Sequence, residues 1–216
     1  MQADTFWFQA SDGTWLDGAT LGTGSVGVVL AHEYPADLCG WWPYAVYLSR
    51  HGLRILLFDF RCFGASTCPG GGSLLSDVEG AVRVLRADDV RDVFLLGGSL
   101  GGTVVMMAGV EITPRVEGVV SLSGEADLGF LVGDVALNAR SAVGDLRSPF
   151  LEIVARGDRS ISIEDARDLY DRAGSRDKRL IVLPARFGHG WNIVTATTRS
   201  PTRVAETVLR FIQARA

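Results

Sequence analysis

Residues 93–110 read VFLLGGSLGGTVVMMAGV, an uncharged run with one serine set among glycines. Read as a single element it is 18 residues of apolar chain, the short edge of what can span a membrane, and its central glycines weaken any continuous helix. Read as two elements it is a buried strand, DVFLLG at 92–97, then a sharp glycine-lined turn, then a helix over 100–112. The second reading places Ser99 on the turn itself. GGSLG at 97–101 then matches G-x-S-x-G with the context that motif requires, a strand directly before the serine and a helix directly after it. With 26 glycines in the chain the five-residue pattern alone carries little weight, and a tightly packed structural turn is the alternative. The flanking elements give the pattern its force.

Working outward, strands and helices alternate. TFWFQASDGTWLDGAT at 5–20 predicts a hairpin turning at Asp12-Gly13. VGVVLA at 26–31 is an unbroken apolar run suited to a strand covered on both faces. WWPYAVYLSRHG has helical spacing and stops at Gly52. There follow a strand at 53–60, a helix at 74–88, the strand and helix around Ser99, strands at 116–124 and 150–155, a helix at 163–173 and a strand at 179–185. A closing helix is expected to start at Ser200-Pro201, a cap followed by proline in the first turn. Residues 125–147 are the one irregular stretch, with room for one or two short helices. This order predicts an α/β fold: a mostly parallel sheet with an N-terminal antiparallel hairpin and helices on both faces, in one domain over 1–216.

Composition narrows the partners. There are 21 Lys and Arg against 25 Asp and Glu, a net charge of −4 without a basic block, which disfavours nucleic acid and anionic membrane. The N-terminal stretch lacks a basic region followed by an apolar one, so a secretory signal is not expected. Three cysteines, Cys39, Cys62 and Cys68, fit reduced thiols in a cytoplasmic protein, although a Cys62 to Cys68 link is geometrically conceivable. The residues suggest neither metal nor organic cofactor: no ligand cluster has metal spacing, and GGSLGG lacks the lysine of a phosphate loop. Whether the chain is a monomer or a homo-oligomer is open.

A serine hydroxyl needs a base to take its proton and an acid to orient that base. Of the three histidines, His51 sits at a helix C-terminus, where the dipole accounts for it, and His32 ends an early strand. His189, in the glycine-flanked loop LPARFGHGW beyond the last strand, is the expected base. Asp158, in the loop of LEIVARGDRS that precedes a helix capped by Ser162, is the expected acid, with Glu125 in reserve and a mere turn role as the alternative.

The chain resembles the α/β-hydrolase superfamily over nearly its full length, as a small member without a large cap. The resemblance rests on GGSLG, on HEYPADLCGWWPYAVYLSRHGLRILLFDFRCFGAS at 32–66, on ARGDRSI as an acid loop and on FGHGW as a histidine loop. It implies a serine hydrolase acting on an ester or thioester of a small-molecule acyl substrate, through Ser99, Asp158 and His189, with backbone N–H groups of Leu100 and Tyr34 as the oxyanion hole. Two positions depart from the family pattern: Glu33 follows His32 where glycine is usual, and Cys62 follows Arg61 where glycine is usual. Glu33 so placed would disfavour acidic substrates. His32, Glu33, Cys62, Phe63 and Trp191 are candidate pocket-lining residues, and Trp41 and Trp42 are candidates too unless the helix packing makes them core. An acyltransferase or peptidase would use the same three side chains, and a silent ligand-binding protein on this fold is the alternative outside catalysis.

Overall fold

The computed structural model describes residues 3–129, 136–195 and 203–216. Its centre is an eight-stranded sheet built from β1 (Asp4–Gln9), β2 (Trp15–Leu21), β3 (Val26–Ala31), β4 (Arg54–Phe58), β5 (Asp92–Gly98), β6 (Gly118–Leu122), β7 (Phe150–Ala155) and β8 (Lys178–Leu183). The spatial order is β1-β2-β4-β3-β5-β6-β7-β8. β1 and β2 form the antiparallel hairpin, β2 runs antiparallel to β4, and every pairing from β4 to β8 is parallel. Asp12 and Gly13 make the hairpin turn, where Asp12 Oδ1 accepts the Thr14 N–H at 3.1 Å and Gly13 takes φ +88°.

Helices cover both faces: α1 (Trp42–Arg50), α2 (Leu74–Ala87), α3 (Leu100–Glu111), α4 (Ala139–Ala142), α5 (Ile163–Arg172), α6 (Asn192–Thr195) and α7 (Arg203–Gln213). The period-two alternation of the strands sorts side chains into two cores. On β5, Val93 and Leu95 join α2 and α3, whereas Phe94 and Leu96 join α1 and α7. Helix α3 is buried around almost its whole circumference, which explains why its sequence lacks an amphipathic stripe and resembles a membrane span. Among the described residues no helix is long and apolar enough to cross a membrane.

The sequence-based elements correspond to these within a few residues at their ends. The Ser200-Pro201 start of the closing helix lies outside the described residues, which meet that helix at Arg203. Between β6 and β7 the described residues hold α4, a 3-10 turn at Val143–Asp145 and a single bridge from Leu128 to Leu137.

The expectation of three free thiols is corrected. Cys62 and Cys68 form a disulfide, and only Cys39 is free. The loop after β4 folds back tightly enough to bring them together: the Cys62 N–H donates to Thr67 O at 3.1 Å, and Cys62 itself takes φ +66°. Cysteine content therefore gives no ground for assigning a reducing compartment.

Strand order reverses beside β3, since β4 lies on one side of it and β5 on the other. The chain leaving β3 and the chain leaving β5 diverge there, which opens a crevice at the carboxyl edge of the sheet. Ser99, Leu100, Tyr34 and His189, singled out by the sequence, line a cavity there.

Candidate active site

Ser99 stands where β5 gives way to α3, with φ +49° and ψ −119°, a conformation that side chains rarely adopt. Two hydrogen bonds hold the turn: Ser99 N–H to Leu122 O at 2.9 Å, and Thr103 N–H to Ser99 O at 3.0 Å. Close packing explains the glycine that follows. A Cβ on Gly101 would sit 2.7 Å from His32 O and closer still to the Ala31 carbonyl, so only glycine lets the first turn of α3 press against the end of β3. The serine is thereby placed at a helix N-terminus, with unsatisfied backbone N–H groups beside it.

His189 follows β8, after a 3-10 turn at Ala185–Phe187, between Gly188 at φ +71° and Gly190 at φ +53°. Its Nδ1 lies 2.9 and 2.8 Å from the two carboxylate oxygens of Asp158. The Asp158 side chain is fully buried, while the imidazole remains 28% exposed. Asp158 Oδ1 also accepts the Ser160 N–H at 3.0 Å. Burial would raise the Asp158 carboxyl, but the bonds from His189 and Ser160 outweigh it and hold it below the usual carboxylate range. Burial would lower His189, but the bond to Asp158 and the surrounding Asp158, Glu33 and Glu125 charges outweigh it and raise the imidazole above its ordinary value.

A cavity of about 630 Å³ opens at this edge, lined by Tyr34, Ser99, Leu100, Glu125, Asp127, Leu128, Gly129, Ser160 and His189. Ser99, His189, Leu100 and Tyr34, expected from sequence to act together, thus share one cavity, with Asp158 bonded behind His189. Glu125, the reserve acid, faces the cavity beside Ser99 instead of pairing with His189. Its backbone is fixed to the first turn of α3, for its N–H donates to Thr103 Oγ1 at 2.8 Å and its carbonyl accepts from that hydroxyl at 3.0 Å.

None of the five residues named as candidate lining is among those around this cavity, and each has partners elsewhere. His32 is fully buried, its Nε2 accepting the Phe60 N–H at 3.0 Å, so the proton lies on Nδ1, which donates to Glu33 O at 2.8 Å. Cys62 is tied into the disulfide. Phe63 packs its ring edge against His32 and Tyr34. Trp191 lies against Gly40 and Trp41, and Glu33 turns inward to the backbone of Trp191. Trp41 is core, its indole N–H bonded to Ala31 O at 2.9 Å, and Trp42 is 37% exposed without lining the cavity.

Sequence reading missed the supports. Arg61 is 2% exposed and bonded to Asp77 on α2, to Asp12 of the hairpin and to Gly71 O, so it clamps the loop after β4. Asp59 accepts from Leu38 N–H at 2.8 Å and Ala65 N–H at 2.9 Å, tying the loop after β3 to the loop after β4. The adjoining DFR triplet was the available signal, two charged residues at the end of an apolar strand. Among the described residues no group of three or more His, Cys, Asp or Glu is arranged to hold a metal ion.

A strand-to-helix elbow carrying a serine, beside a histidine bonded to a buried aspartate on a doubly covered parallel sheet, defines the α/β-hydrolase class. The model of the alpha/beta hydrolase family matches residues 28–211, and the chain belongs to that family. It is 27% identical over 206 residues to the uncharacterized protein YfhR of Escherichia coli (strain K12), covering 84% of this chain and 72% of that protein. Among solved structures it superimposes on the Pyrococcus furiosus esterase Pf2001 with TM-score 0.82 at 17% identity, covering 99% of this chain and 93% of the other. An esterase from Exiguobacterium antarcticum gives TM-score 0.76 at 18% identity, covering 96% and 99%. At such identities the structural likeness establishes the fold.

Proposed function

We propose that this protein is a serine hydrolase that cleaves a carboxylic ester or thioester through an acyl-enzyme on Ser99. The observation that carries the reading is the cavity shared by Ser99 and His189, the latter bonded through Nδ1 to buried Asp158. With Nδ1 so engaged, Nε2 is the free nitrogen of His189, the one available to take the Ser99 proton.

In the proposed reaction Ser99 Oγ bonds to the acyl carbon as its proton passes to His189, and the carbonyl oxygen takes up negative charge. The N–H groups of Leu100 and Tyr34 are proposed to stabilise that charge, a contribution of about 3 kcal/mol for each donor. The bond to the leaving alkoxide or thiolate breaks with return of the proton from His189. Water, deprotonated by the same imidazole, then releases the acid and restores Ser99. Glu125 and Asp127 in the cavity wall favour neutral over anionic acyl groups.

Labelling with a fluorophosphonate probe tests this reading. The expected result is a single adduct on the peptide containing Ser99, lost in Ser99→Ala and reduced by about a thousandfold or more in His189→Ala. Folded protein that takes up no probe overturns the mechanism.

A further inference from the structure

Glu33 occupies a position that the proposed reaction does not explain. It follows the end of β3 next to Tyr34, yet it is not among the residues lining the cavity and is only 9% exposed. Its carboxylate accepts the backbone N–H of Trp191, two residues beyond His189 and on a different loop. The surroundings are shaped to admit it. A Cβ on Gly190 would collide with the Glu33 carboxylate, and one on Gly98 would lie 3.0 Å from Glu33 Oε1. Two backbones thus come close around one carboxylate, one on either side of the proposed nucleophile and base.

We infer that Glu33 is a positioning residue, a latch that fastens the loop after β3 to the histidine loop and sets a negative charge beside the His189 imidazole. The inference rests on the proposed roles of Ser99, His189 and Tyr34, and it adds how two of their loops are kept in register. The loop after β3 supplies Tyr34 and the loop after β8 supplies His189, and no strand pairing joins β3 to β8. Trp191 packs against Gly40 and Trp41, an apolar contact between the two loops that a directional polar tie fixes in register. Glu33 provides the tie by one buried, charge-assisted hydrogen bond.

The electrostatic side follows from the same placement. His189 is faced by Asp158 from the loop after β7, by Glu33 from the loop after β3 and by Glu125 from the loop after β6, while Arg159 shares with it the smaller adjoining cavity. Glu33 is faced in turn by His189 and Asp158. Burial raises the Glu33 carboxyl above its usual range, while the Trp191 N–H and His189 oppose that rise and favour the ionised form. An ionised Glu33 favours the imidazolium, so its removal lowers the pH at which His189 loses its proton.

Imidazole nitrogen NMR of the intact protein, with His189→Ala used to assign the resonance, tests the latch by two variants. Glu33→Gln keeps an oxygen to accept the Trp191 N–H but removes the charge. The expected result is a fall of about 0.5 to 1 pH unit in the His189 midpoint. Glu33→Ala removes charge and bond together, and is expected to slow fluorophosphonate labelling of Ser99 about tenfold or more on the plateau above the His189 midpoint, as a misaligned base does. An unchanged midpoint in Glu33→Gln overturns the inference, as does wild-type labelling of Glu33→Ala. Should Glu33→Ala fail to fold, the Gln midpoint decides alone. Failure of the wild type to label would count against the serine hydrolase reading, and the NMR midpoint would still decide the latch.

Discussion

His189 meets both carboxylate oxygens of Asp158, at 2.9 and 2.8 Å, and the side chain of the aspartate that holds it is buried. A buried carboxylate facing one ring nitrogen fixes the tautomer, with the proton on Nδ1 and a free lone pair on Nε2. In Asp158→Asn the amide can present its NH₂ to Nδ1 and favour the opposite tautomer. The expected outcome is a loss of about 10⁴-fold in kcat on an activated ester, with the melting temperature little changed. Activity within tenfold of wild type would show that another group orients His189.

The pH dependence has a definite sign. The proposed base must be neutral to accept the Ser99 proton, and the net effect of the carboxylates around His189 is to raise its pKa above the ordinary 6.5. The rate of probe labelling is therefore expected to rise with pH through a midpoint above 6.5. Stability runs the other way: a raised imidazole pKa stabilises the fold fully below the unfolded value, and that contribution is lost as pH rises through the folded value. A labelling midpoint below 6.5 would contradict the placement of the carboxylates.

Glu152 gives a prediction about stability alone. It lies in the middle of β7, opposite Ser121 on β6, and is 0% exposed. Burial raises its carboxyl well above the usual range, so the folded protein retains a proton that the unfolded chain releases. Stability contributed by this group therefore falls as pH rises above the unfolded carboxyl value. Glu152→Gln is expected to melt at a higher temperature than wild type at pH about 8, the difference closing near pH about 4 where both carboxyls are protonated. A gap of constant size across that range would mean that packing, and not proton linkage, sets the effect.

Much of the candidate site's arrangement was legible because its signals are local. The Ser99 elbow needs a glycine at 97, where a Cβ would run into the Gly101 carbonyl and the Gly102 nitrogen, and that constraint acts within one turn of chain. Asp158 and His189 were legible as residues placed just beyond strands, since an alternating α/β chain brings all such loops to one edge. The pocket lining was not legible. His32, Glu33, Phe63 and Trp191 all stand near the crevice in sequence, and the direction of each side chain was set by partners far along the chain, such as Phe60 for His32 and Trp191 for Glu33.

The sequence by itself determined the strand and helix order, the parallel sheet with its hairpin, and the serine turn, because hydrophobic period, turn residues and glycine sterics are properties of neighbouring residues. Tertiary structure alone decided that Asp158 and not Glu125 bonds His189, that Cys62 joins Cys68, and that Glu33 bonds to the Trp191 backbone. Each depends on which groups meet across loops distant in the chain. That meeting is fixed by strand order and by the depth at which a charge can still find a hydrogen-bond partner, and no local pattern encodes either.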